Sequence, residues 1–156
     1  MKLSFLTSAL VLALVSAAAA HDFKVGSLVI DHPWSRATPK GAAVAGGYMK
    51  ITNTGTTADR LTGGTTDAAK KFEIHEMKME GSVMRMRELS DGLEIPPGAT
   101  VELKPGSYHI MMTTLAKPFT KGDRVKASLT FEKAGKIDIE FAVDAAGGAS
   151  AKEHKH

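Results

Sequence analysis

Short stretches of alternating apolar and polar residues dominate this chain, and they dictate β-structure. In KIDIEFAV (136–143), Ile137, Ile139, Phe141 and Val143 alternate with Asp138, Glu140 and Ala142. In RVKASLTFE (124–132), Val125, Ala127, Leu129 and Phe131 share one face. Residues two apart in a strand point to the same side, so this pattern builds a half-buried strand and no continuous apolar stripe on a helix. Residues 23–30, 47–53, 71–79, 83–89, 100–104 and 108–112 read the same way. Turn clusters separate them: TPKG (38–41), NTGTTAD (53–59), EGS (80–82), IPPGA (95–99), KPGS (104–107), TKGD (120–123) and KAGK (133–136). Seven or eight strands at this spacing, with no long amphipathic helix, predict an antiparallel β-sandwich or Greek-key barrel.

The first twenty residues, MKLSFLTSALVLALVSAAAA, stand apart. Lys2 gives a positive start, an apolar run covers 9–15, and Ala18-x-Ala20 matches a small-residue cleavage site. The run is too short to span a bilayer, so 1–20 reads as a secretory signal peptide of the kind that leads to a bacterial periplasm. No later stretch is long and apolar enough for stable membrane insertion. The expected division is then a signal peptide over 1–20, one β-domain over 21–143, and a small, polar, Gly/Ala-rich flexible tail over 144–156. About 136 residues remain after cleavage, enough for one core. The absence of cysteine rules out a thiolate metal site, a cysteine nucleophile, dithiol redox chemistry and a blue-copper centre. A formal net charge of +3 with scattered lysines and no basic run speaks against nucleic acid as a partner.

Against this plain background HEMKMEGSVMRM (75–86) is unusual. Strand periodicity puts His75, Met77 and Met79 on one face, and Met84 and Met86 on one face of the next strand. The short EGS loop joins the two as a hairpin. His109 and Met111 share a face on a third strand. Lys78, Arg85 and Arg87 alternate with the methionines, and no Leu, Ile or Val interrupts the Met/His face near the turn. A core face would favour branched aliphatics. Thioether sulfur is soft and uncharged and imidazole is borderline, so a set of this kind suits Cu(I). Zinc would favour Cys, His and carboxylate, and calcium or magnesium would want oxygen. Methionine also avoids the oxidation that cysteine would suffer outside the cytoplasm.

Other residues carry weaker signals. His32, before Pro33-Trp34, reads as a turn or loop residue, and Trp34 as a packing anchor. His154 and His156 in the tail read as incidental, with a pair that holds Cu(II) or Zn(II) loosely as the alternative. Cleavage after Ala20 would make His21 the new N-terminus, with two nitrogens for Cu(II). Met77, Met79 and Met84 read as a relay, as a weaker outer layer or simply as packing, and Met112 as packing or rim. Three functions fit the residues: a Cu(I) carrier, a copper oxidase or monooxygenase built on an N-terminal His21, and a metal-free adhesive or structural sandwich whose Met face binds protein. The oxidase would need an aromatic substrate surface, and the whole chain has nine aromatic residues.

Several segments together resemble the PCu(A)C family of periplasmic copper chaperones: HPWSRATPKGAAVAGGYMKITNTG, DRLTG, IHEMKMEGSVMRMRE, IPPGATVELKPGSYHIMM and KGDRVKASLTFEKAG. The family pattern of His, Met and His-x-Met falls on His75, Met86, His109 and Met111. The interval from Met86 to His109 holds 22 residues, one more than in the family pattern, and lies in a turn-rich segment that absorbs it. The resemblance implies a cupredoxin-like β-barrel, Cu(I) held by these four side chains, and no enzymatic activity. It also implies delivery to the Cu(A) centre of cytochrome c oxidase subunit II alongside Sco-type copper proteins. A monomer is expected.

Overall fold

The computed structural model describes residues 22–146. Residues 1–20, read from the sequence as a signal peptide, and His21, His154 and His156 lie outside them. Eleven strands and no helix occur among the described residues: β1 (Phe23–Val25), β2 (Leu28–Arg36), β3 (Val44–Asn53), β4 (Asp59–Thr65), β5 (Ala69–Glu80), β6 (Val83–Glu88), β7 (Leu93–Ile95), β8 (Thr100–Leu103), β9 (Tyr108–Leu115), β10 (Arg124–Phe131) and β11 (Gly135–Asp144). The all-β expectation holds. The strands follow one hydrogen-bonded path, β6-β5-β9-β3-β2-β11-β10-β4-β7, with β1 beside β2 and β8 beside β3.

Three details differ from the sequence reading. The ladder is mixed, because β11 runs parallel to β2 through Ala142–Trp34, Val143–Ser35 and Asp144–Arg36, while every other pair is antiparallel. These are early and late strands of the domain, joined by no hairpin, so nothing forces them to run in opposite directions. The path is also open among the described residues, ending at β6 and β7. The strand count rises because 23–30 is interrupted by a two-residue Gly26-Ser27 turn, with Val25 opposite Leu28. It rises further because β4 and β7 occupy segments that the alternation does not single out as strands.

The core follows from the alternation. Ile30, Ile51, Leu61, Ile95, Leu129, Ile139, Phe141 and Val143 are buried together with Ile74, Ile110 and Met112. In β3 the odd positions Ala45, Met49 and Ile51 face this core, and Ala45 lies opposite Met112 in β9. The even positions of β3 and the odd positions of β5 and β9 therefore look out on the other side of the sheet. Met112 is core, as its reading as packing required. Trp34 stacks on Tyr48 with ring centroids 4.6 Å apart, and Arg36 lies 5.8 Å over the indole. His32 sits at a bulge inside β2, exposed, with φ 45°. Its expected place in a turn or loop is thereby corrected to a strand bulge, where Pro33 is tolerated because the ladder is already broken.

Buried Asp59 fastens the β10–β11 turn to the start of β4. Its Oδ1 accepts from the backbone N–H of Arg60 at 2.7 Å and Lys133 at 2.9 Å, and its Oδ2 from Ala134 at 2.9 Å. Burial works to raise its pKa, but these three N–H donors outweigh it and hold the carboxyl below its ordinary 3.8. A depressed carboxyl contributes stability that is present above the unfolded-state value and is lost as pH falls through the folded one. Asp59→Asn is expected to cost about 1–3 kcal/mol at neutral pH. In urea unfolding, its deficit relative to wild type should shrink as pH drops below 3.8. A deficit that is constant with pH would refute this account.

Candidate metal centre

Three strands bring the His/Met residues to the outer face of the sheet. In the β5–β9 register His75 lies directly opposite His109, and Glu73 opposite Met111. In the β5–β6 register Met77 faces Met86 and Met79 faces Met84. β3 completes the far side, with Gly46 opposite Met111. The hairpin closes through Gly81 and Ser82, with Gly81 at φ 63°, a left-handed conformation open to glycine without a Cβ clash.

Met77, Met86, His109 and Met111 line one cleft of about 210 Å3, together with Tyr48 and the Pro105-Gly106 turn between β8 and β9. His75 stands beside this cleft, its ring centroid 5.7 Å from that of His109. All four residues singled out by the sequence thus lie in one neighbourhood, and Met77 joins them. Tyr48 is a wall residue that alternation alone does not reveal. It fits because Gly46 has no side chain: a Cβ there would stand 2.8 Å from the Tyr48 Cζ.

Hydrogen bonds fix the histidine tautomers. His109 Nδ1 is 3.0 Å from the Ser107 carbonyl, which can only accept, so Nδ1 carries the proton and the Nε2 lone pair is free. The same carbonyl accepts from the backbone N–H of Met77 at 3.1 Å, which ties the β8–β9 turn to β5. His75 Nε2 donates to Glu73 Oε2 at 2.9 Å, so its lone pair sits on Nδ1. That Nδ1 is buried and has no hydrogen-bond partner. A buried, unpaired acceptor is costly unless something binds it, and a cation meets that need. Glu73, missed in the sequence reading, has the place of the carboxylate that commonly orients a metal-bound histidine. Its position two residues before His75 on the same strand face was a usable signal.

Burial is the main reason why His109, only 4% exposed, has a pKa below the ordinary imidazole value. The Ser107 hydrogen bond opposes this shift and the neighbouring His75 adds to it. Its imidazole is therefore held neutral, the form that ligates metal. Among the described residues no three His, Cys, Asp or Glu side chains gather as a metal cage. A metal at this spot would draw on the thioethers, and imidazole nitrogens beside Met sulfurs fit a soft cation of low charge.

The LpqE-like family, described as lipoproteins, matches over residues 28–143. Lxx21020 of Leifsonia xyli subsp. xyli (strain CTCB07), also named as a lipoprotein, is 30% identical over 121 residues, covering 78% of this chain and 72% of that one. Among solved structures, the copper-bound PCuAC domain from PmoF2 is 30% identical with a TM-score of 0.69, covering 81% of this chain and 99% of its own. The Cu(I) form of DR1885 from Deinococcus radiodurans is 23% identical with a TM-score of 0.57, covering 81% of this chain and 83% of its own, and shares the fold.

Proposed function

Because the chain belongs to the LpqE-like family, of PCuAC type, we propose that it is a copper chaperone that carries Cu(I) on His75, Met86, His109 and Met111. It is a binding and transfer protein, not an enzyme. The observation that carries the ligand assignment is the pair of facing histidines, each with one nitrogen anchored and the other free, beside a cleft lined by thioethers. Copper is the cargo, and no bond in an organic substrate is made or broken.

The ligands differ in access, which gives the hand-over a direction. Met86 is 47% exposed and His109 only 4%. A partner's donor atom reaches the cation from the Met86 side. The exposed thioether leaves first and the anchored imidazoles last, one bond forming as another breaks. Sulfur without charge holds Cu(I) less tightly than thiolate would, so an acceptor with cysteine ligands draws the ion away. The Cu(A) centre of cytochrome c oxidase subunit II, reached directly or through a Sco-type protein, is the acceptor we propose. A place outside the cytoplasm, in the periplasm after loss of residues 1–20, follows the same reading and is supported by the lipoprotein names of the family. Lipid attachment itself is not carried over, since this sequence offers no cysteine to bear it.

X-ray absorption on the Cu(I)-loaded protein tests the ligand set. Two sulfur and two nitrogen neighbours are expected, and a shell of oxygen or of nitrogen alone would overturn it. Transfer is tested by mixing the loaded protein with the copper-free soluble domain of subunit II. The intense visible bands of Cu(A) should grow in once an added one-electron oxidant such as ferricyanide takes one electron from the two transferred Cu(I) ions, and copper that stays on the donor would sink the acceptor assignment. Glu73→Ala supplies a subtler check. Removing the carboxylate that orients His75 should weaken Cu(I) binding by about 10–100-fold, with the sulfur count unchanged in the absorption spectrum.

A further inference from the structure

Four methionines on the β5–β6 hairpin exceed what the proposed ligand set uses, and packing does not explain the surplus. Met79 and Met84 are 54% and 46% exposed. Neither they nor Met77 belongs to the buried core or packs against it. They stand in register as a second pair, Met79 opposite Met84, one step toward the turn from Met77 opposite Met86. Successive residues on one strand face are about 7 Å apart, and directly opposed residues on neighbouring strands about 5 Å, within the reach of a flexible thioether. Near the turn, Glu76, Lys78, Glu80, Arg85 and Arg87 alternate onto the other face, and the carboxylates on the Met face, Glu73 and Glu88, lie at the His75 end. On the charged face Glu76 pairs with Arg87 at 2.8 Å, and Glu80 with Arg85 at 2.7 Å. The Met face therefore offers neutral sulfur, rung after rung, from the turn to the cleft.

We infer that Met77, Met79 and Met84 form a second, weaker station for a soft monovalent cation, Cu(I) or Ag(I), through which cargo passes between solvent and the cleft. The inference rests on the proposed function in assigning Met86 to the inner site. Three thioethers without an imidazole bind less tightly than a mixed set with two preset histidines, so the outer station fills second. The cation keeps its charge throughout, and each step exchanges one sulfur bond for another. Met77, which lines the cleft and also faces Met86, is the shared rung between the two stations.

Silver(I), soft and redox-silent, is the probe, added to the full protein carrying 13C-labelled methionine methyl groups. NMR should show Met86 and Met111 moving with the first equivalent and Met79 and Met84 with the second. The Met79→Leu/Met84→Leu variant, nearly volume-conserving on an exposed hairpin face, should keep the first event and lose the second. It should also hand Cu(I) to a thiol acceptor more slowly, while its affinity for the first equivalent stays at the wild-type value. Methyl signals of Met79 and Met84 that stay still as silver is added beyond two equivalents would overturn the station. So would a second event that survives in the variant. A first equivalent that leaves Met111 and the His109 ring unperturbed would sink the inner-site reading alone, and the Met79 and Met84 signals decide the outer station in either case.

Discussion

Replacing His109 with Ala and Met111 with Leu together is expected to abolish tight Cu(I) binding. The loss should exceed the roughly 10–100-fold that follows removal of a supporting partner alone, because two of the four proposed donors disappear. A competition titration against a chromogenic Cu(I) chelator, under anaerobic reducing conditions, measures it. His109 is nearly fully buried and its Nδ1 is held by the Ser107 carbonyl, so its Nε2 is the nitrogen it offers to a metal. Met111→Leu keeps the volume and the apolar character and removes only the sulfur. Both residues project from the sheet face opposite Ile110 and Met112, so the cooperative unfolding transition should persist. A double variant that still competes with the chelator as wild type does would refute the assignment of these two ligands.

The second large effect is on stability. Phe141 is fully buried on β11, between β2 and β10 in the sheet order. A Cβ at Gly47 would stand 2.9 Å from the Phe141 Cε1, which shows how closely the ring is laid on the β3 backbone. Phe141→Ala should therefore leave a cavity that the surrounding strands cannot close, costing about 3–5 kcal/mol. Urea denaturation reads this as a lower midpoint with a similar slope, and heating as a melting point depressed by about 10 °C or more. A cost below about 1 kcal/mol would mean that the core relaxes into the space, contrary to the close packing at Gly47.

How far the sequence foretells this architecture depends on what each residue's neighbours in the chain reveal. The hairpin of β5 and β6 was legible because alternation, a Gly-Ser turn and four methionines coincide within a dozen residues. The convergence of His75, Met86, His109 and Met111 was legible from their strand spacing and from the family resemblance. β4 was not. Its DRLTGGT, with two adjacent glycines, carries no strand alternation and becomes a strand by pairing with β10 and β7. Gly64 is required there, since a Cβ would meet the Phe72 ring at 2.6 Å. The parallel contact of β2 with β11 was hidden for a similar reason: local periodicity says that a segment is a strand, not which strand lies beside it. Glu73 was legible in principle, two residues from His75 on one strand, whereas the role of Tyr48 depends on which strands pack beside the cleft.

The placement of the His/Met residues on the side of the sheet away from Ile74, Ile110 and Met112 has a consequence for the working cycle. In small zinc domains the ion is part of what holds the chain together, and release means collapse. Here the hydrophobic interior is complete on its own side of the strands, so the empty protein keeps its architecture after each delivery and stands ready for another ion. Whatever extra resistance to heat the cargo confers is then only the mass-action gain of any bound ligand, growing with its free concentration and vanishing on departure.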